Sequence, residues 1–117
     1  MALTAGGLNI MLNAFGDAAA FVSLHTDNPG TNGANEVSNG EYVRVDPNWG
    51  SADGGVLVNA DPVVFDVPAS TTIKFLGYWS LANGGTFYGS RALDADQTYA
   101  TAGTYTIAAG NLSESLT

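Results

Sequence analysis

The sequence predicts a mainly β chain: an antiparallel β-sandwich or barrel of about seven strands, with one short N-terminal helix. Three observations predict this class. Apolar periodicity changes from helical to strand-like after Gly16. Short β-rich runs then recur at roughly 8–12-residue spacing. The gaps between them hold turn chemistry: Asn28-Pro29-Gly30, Asn32-Gly33, Asn39-Gly40, Asp53-Gly54-Gly55 and Asn83-Gly84-Gly85. No segment between the runs suits the long crossover that parallel strands require, so the sheet pairing should be antiparallel.

The elements follow in order. Leu8, Met11, Leu12 and Phe15 fall on one helical face, with Thr4 as N-cap and Gly16 as the stop. Gly6 and Gly7 weaken the first turn, and so short a helix must dock on something to persist. Strand-like runs cover residues 20–25, 42–45, 56–58, 63–67, 71–80, 86–88 and 104–107. The run 71–80 alternates most clearly, with Ile73, Phe75, Gly77 and Trp79 on one side and Lys74, Leu76, Tyr78 and Ser80 on the other. Asn83-Gly84 marks a hairpin turn after it. Residues 26–41 are too long for a simple turn, and their Gly, Asn and Pro content predicts an ordered loop without regular structure. The chain reads as one domain: a helical segment 1–16, a β body 17–109 and a polar tail 110–117. Leu112 and Leu116 are the tail's large apolar residues, and such a tail frays unless pinned, for example across a subunit boundary.

Composition excludes several function classes. Against eleven acidic residues the chain has three basic ones, Arg44, Lys74 and Arg91, for a formal charge of -8. That leaves no cationic footprint for nucleic acid or for an anionic membrane surface. No apolar run reaches the ~18 residues of a membrane span, and residues 1–15 lack the features of a secretory signal. Synthesis in the host cytoplasm is the expectation. Cysteine is absent, which removes disulfides, thiol nucleophiles and Cys-based zinc sites. Charged residues make up 12% of the chain, about half the usual share, as suits a surface that packs against neighbours.

Catalytic chemistry has few candidates. His25 is the only histidine. Ser23 and Asp27 lie beside it in sequence, yet no nucleophile elbow is present, and a strand-end histidine bonded to loop backbone is the simpler reading. Asp27, Asn28, Asn32, Asn35 and Glu36 make an oxygen-rich loop whose spacing does not match an EF-hand. Turn chemistry explains those residues better than calcium. Trp49, Trp79 and Tyr88 are candidate surface aromatics that could meet a host-surface glycan, although sheet aromatics are more often core. The expectation is no enzyme, no catalytic residue, no metal and no cofactor.

A stretch of sequence goes further. Residues 23–37 read SLHTDNPGTNGANEV and resemble the SLHTxDPGxxGANEV segment of a family of small tailed-bacteriophage virion proteins, described as tail fibre or minor tail proteins. The similarity continues through Glu41-Tyr42-Val43-Arg44, Trp49-Gly50, Phe65-Asp66-Val67-Pro68-Ala69, Gly77-Tyr78-Trp79-Ser80, Gly84 to Gly89 (GGTFYG) and Gly103-Thr104-Tyr105-Thr106. It departs at Asn28, at Ser70 and in the first helix. The resemblance implies a virion structural protein, tail-associated, that packs as a homo-oligomer with other virion proteins. A trimer is the expected stoichiometry. Capsid decoration and a carbohydrate- or receptor-binding module are the alternatives. Within the segment, His25, Asp27, Pro29, Gly30, Gly33, Asn35 and Glu36 are expected to form a structural or contact loop. Pro29 fixes one φ, Gly30 and Gly33 permit positive φ, and Glu36 could accept loop N–H bonds.

Overall fold

The computed structural model describes residues 3–116. Met1 and Ala2, at the head of the expected helical segment, and Thr117, at the end of the expected tail, lie outside them. The helix, α1, spans Ala5–Ala18. Thr4 is its N-cap, accepting from Gly7 N–H at 3.3 Å. Gly16 does not stop it. A Cβ there would lie 3.3–3.4 Å from the side chains of Leu57 and Trp49, so this glycine admits close packing. The docked face holds buried Leu12 with half-buried Leu8 and Phe15, whereas Met11, expected on that face, is 50% exposed. Asn9 and Asn13 also face the body. Their side-chain oxygens accept from Gly55 N–H at 2.9 Å and Ala52 N–H at 2.8 Å, which fixes the helix to the turn before the second strand.

The strands are β1 (Phe21–His25), β2 (Val56–Val58), β3 (Val63–Val67), β4 (Thr71–Trp79), β5 (Phe87–Tyr99), β6 (Gly103–Ile107) and β7 (Ser113–Ser115). They form three small antiparallel sheets, ordered β1-β4-β5, β2-β7 and β3-β6. β3 alternates strictly, burying Val63, Phe65 and Val67. β4 is central in its sheet, and from Leu76 to Trp79 it is buried on both faces. The main core joins Val22 and Leu24 of β1, Phe65 of β3, Ile73 of β4, Ile107 of β6 and Leu112.

Three expectations are corrected here. The run 42–45 contributes a single bridge, Val45 to Val22, because β1 divides its outer edge between Val45 and Glu36. The short run 86–88 is the start of a 13-residue strand, β5, none of which is buried. Its register against β4 slips: Ile73 faces Gln97 but Phe75 faces Ala92, so residues 93–96 bulge opposite Lys74. A second irregularity falls between Tyr78 and Trp79. Finally, residues 110–116 are no free tail. β7 pairs with β2, and Leu112 is 2% exposed.

Asn59 holds that last segment. It is 1% exposed, and its amide donates to Asp61 O at 2.8 Å and Ala108 O at 3.2 Å. Its side-chain oxygen accepts from Leu112 N–H at 3.0 Å, and its backbone bonds Leu112 O and Gly110 N–H. In the middle of β7, Glu114 accepts from the Tyr78 hydroxyl and pairs with Arg91 at 3.2 Å.

Candidate functional site

The resemblance segment leaves β1 at His25, turns out through residues 26–35 and returns to pair Glu36 with His25. Its backbone closes on itself through Thr26 N–H to Asn35 O (2.9 Å), Ala34 N–H to Pro29 O (3.0 Å) and Val37 N–H to Leu24 O (3.0 Å). Asp27 accepts from Asn28 N–H, and the Asn28 side chain accepts from Gly30 N–H, both at 2.8 Å. These oxygens serve turn donors. Gly30, Gly33 and Asn35 hold φ of 64°, 78° and 65°, the left-handed region. Pro29 is fully buried beneath them. Gly33 has a second constraint, since a Cβ there would run into the Trp79 ring.

Inside the loop lies a buried polar chain. His25 Nδ1 is 2.7 Å from Ala34 O, which requires the proton on that nitrogen. His25 Nε2 is then an acceptor, and the Ser23 hydroxyl donates to it at 2.6 Å. Trp79 Nε1–H in turn donates to Ser23 Oγ at 2.9 Å. Burial pushes the His25 pKa below its ordinary 6.5, a shift only partly opposed by Ala34 O and the Glu36 charge, so the ring is neutral. The Ser23–His25 contact has the outline of a nucleophile and its base, but both residues are 0% exposed. Asp27 is not part of it. Gly77 makes room for the pair, since a Cβ there would collide with Ser23 Oγ.

Glu36 does not accept the loop N–H bonds expected of it. Arg44 grips both of its oxygens, donating from Nε to Oε2 and from Nη2 to Oε1, each at 2.9 Å. Tyr42 O–H adds a bond at 2.7 Å, while its own oxygen accepts from Leu24 N–H at 3.1 Å. Burial alone would raise the Glu36 carboxyl, but the Arg44 and Tyr42 bonds outweigh it and hold it below the usual range. The same burial raises the Tyr42 phenol far above its ordinary value. Arg44 continues outward, donating to Leu81 O at 2.9 Å and Gly84 O at 2.8 Å in the β4–β5 hairpin. Its guanidinium lies 3.7 Å from the centre of the Trp79 ring. One arginine therefore joins the loop, the hairpin and the sheet.

The candidate surface aromatics separate. Trp79 is 8% exposed and belongs to this core, covered by Arg44 and tilted against Phe87 at 5.1 Å. Tyr88 is open, at 46%. Trp49 is half-buried, and its Nε1–H donates to Ala19 O at 2.9 Å. Sequence reading missed Arg44 and Tyr42 as partners of Glu36. The available signal was the scarcity of cations combined with the i, i+2 spacing that puts Tyr42 and Arg44 on one side of an extended segment. Among the described residues no group of three or more His, Cys, Asp or Glu is placed to hold a metal ion, and no helix is long and apolar enough to cross a membrane.

The site is thus a loop platform, ordered by a partly buried ion pair and a buried, neutral histidine. A search of curated proteins returns no match to the chain. A family model described as "Podophage GP4 fiber I protein gp80" matches residues 8–115, from the helix through β7 and across the whole platform. The chain belongs to this podophage fibre protein family.

Proposed function

We propose that this protein is a non-enzymatic, tail-associated structural component of a phage particle that works as a homo-oligomer, with a trimer as the assembled unit. The family match over residues 8–115 carries the reading. The surface supports it. Ile10 at 74%, Val43 at 66%, Leu81 at 55% and Met11 at 50% are apolar and exposed, on a chain with 12% charged residues. The loop platform presents its outer turns to neighbouring virion proteins, and the Glu36–Arg44 pair keeps those turns in one shape. Ser23 and His25 serve structure in this reading, since their buried positions give a substrate no approach.

Antibody labelling of intact particles, viewed by electron microscopy, tests the placement. Label at the tail is the expected result, and label spread over the head assigns the protein to capsid decoration instead. Light scattering on the purified protein tests the assembly. A monomer at high concentration, together with much less than about 800 Å² buried per partner in the particle, overturns the building-block reading.

A further inference from the structure

The hairpin between β4 and β5 carries a reactive pair of residues. Three of the chain's ten asparagines precede glycine: Asn32, Asn39 and Asn83. In such pairs the side-chain amide and the next backbone nitrogen are close enough to react, and glycine brings no Cβ to obstruct them. We propose that Asn83-Gly84 is a self-modification site, converting spontaneously to aspartate or isoaspartate beside Arg44. The proposal is independent of where the protein sits in a particle.

The chemistry needs only water as co-reactant. The Gly84 backbone nitrogen loses its proton to solvent and attacks the side-chain carbonyl carbon of Asn83. A new C–N bond closes a cyclic imide, and the side-chain nitrogen takes up a proton and leaves as ammonia. Water then adds to either imide carbonyl and breaks the C–N bond there. Opening at the side-chain carbonyl gives aspartate. Opening at the main-chain carbonyl gives isoaspartate, whose backbone runs through the former side chain and is longer by a methylene.

Folding withholds this path from most asparagines. Asn9, Asn13, Asn28, Asn35, Asn48 and Asn59 have side chains tied by hydrogen bonds. After Asn111 the attacking nitrogen is already engaged, since Leu112 N–H donates to Asn59. Asn32, Asn39 and Asn83 are exposed, and their side chains bond no described residue. Packing separates these three. A Cβ on Gly33 would run into the Trp79 ring, and one on Gly40 would lie 3.1 Å from Pro68, so both backbones stand against a wall. Gly84 has nothing within 4 Å of that position, and its N–H bonds no described group.

Arg44 adds an electrostatic reason. Its Nη1 donates to Gly84 O at 2.8 Å and to Leu81 O at 2.9 Å. Asn83 also lines, with Arg44, Tyr42 and Glu36, a cavity of about 270 Å³. Ring closure passes through negative charge, first on the Gly84 nitrogen and then on the Asn83 oxygen. A fixed cation at that place favours both. The same cation then meets the product. A new carboxylate on this cavity competes with Glu36 for Arg44, and the added methylene of isoaspartate shifts Gly84 O off the guanidinium. Conversion therefore loosens the tie between hairpin and loop and gives the platform a second, aged state.

The test is a timed incubation of the full chain at mildly alkaline pH in heavy-oxygen water, read by peptide mapping with mass spectrometry, beside a sample unfolded in urea. In urea the three Asn-Gly pairs should convert at similar rates. In the folded chain position 83 should convert about tenfold faster than positions 32 and 39, with uptake of heavy oxygen. Converted protein, separated by ion exchange, should show hydrogen exchange across residues 26–45 about tenfold faster than the fresh chain. Asn83→Ser lacks the reacting carbonyl and, taken through the same incubation, should keep the exchange pattern of the fresh chain. Three results overturn the proposal: no conversion at position 83, folded rates at the three pairs as similar as those in urea, or converted protein whose exchange in residues 26–45 is unmoved.

Discussion

Two parts of this molecule lack long strands of their own and are ordered by opposite means. Residues 26–45 are held by charge: Arg44 and Glu36, with side chains 8% and 20% exposed, tie a loop to a hairpin and a sheet. Residues 108–116 are held by a neutral amide, since Asn59 answers backbone groups from Ala108, Gly110 and Leu112. Even a partly buried pair is unforgiving, because losing either partner leaves a charge poorly solvated. A buried amide loses two or three ordinary bonds. The difference teaches that similar-looking order rests on unequal foundations, and that the loop should fail more steeply.

The largest expected effect follows from Arg44→Ala, which leaves Glu36 without its cation and uncovers Trp79. It should destabilise the protein by about 3 kcal/mol or more in urea unfolding, with fast hydrogen exchange across residues 26–45. The double change Glu36→Leu with Arg44→Leu should be less harmful than either single change, and a worse double mutant would break the contrast. Asn59→Ala comes next, at about 2 kcal/mol, with exchange rising in residues 108–116 and not in the loop. Acidification offers a third measurement. His25 has a folded pKa below its ordinary 6.5, so its contribution is fully present above pH 6.5 and is lost as pH falls below it. Glu36 is likewise depressed, and its contribution declines below its ordinary 4.5. The urea midpoint should therefore drop in two steps on acidification, and His25→Gln should remove the earlier one. The smallest effect belongs to Arg91→Gln. That arginine is 44% exposed in its pair with Glu114, and the change should stay within about 0.5 kcal/mol.

How much of this was legible depended on how much apolar surface each element buries. α1 and β3 announce themselves because burial on one face writes a period into the sequence, and β4 does so over its first residues, before both faces become buried. β5 does not. Its residues RALDADQTY lie at a sheet edge with no buried position, so neither face selects for hydrophobes. β7 is Ser-Glu-Ser and is fixed from outside, by the Asn59 bonds beside it and by Tyr78 and Arg91 on Glu114. The loop was legible as a unit through its Pro, Gly and Asn residues. Its staple was not, because Arg44 reaches a hairpin carbonyl 40 residues away and sequence spacing carries no trace of that pairing.

The slipped register of β5 has a consequence for how copies of this chain can meet. A long, flat, unpaired edge is a template on which another strand can add, and then another without limit. Here the edge is interrupted: regular partners run over residues 89–92 and 97–99, with the bulge of 93–96 between them. Each regular stretch is shorter than an ordinary strand of about five to six residues. Asp94 and Asp96 place two carboxylates in the interruption. A newcomer would find its hydrogen-bond ladder broken within four residues and meet charge of its own sign. The kink makes this edge a poor template for strand addition, so any contact between copies would fall to side-chain surfaces, which can be complementary and finite.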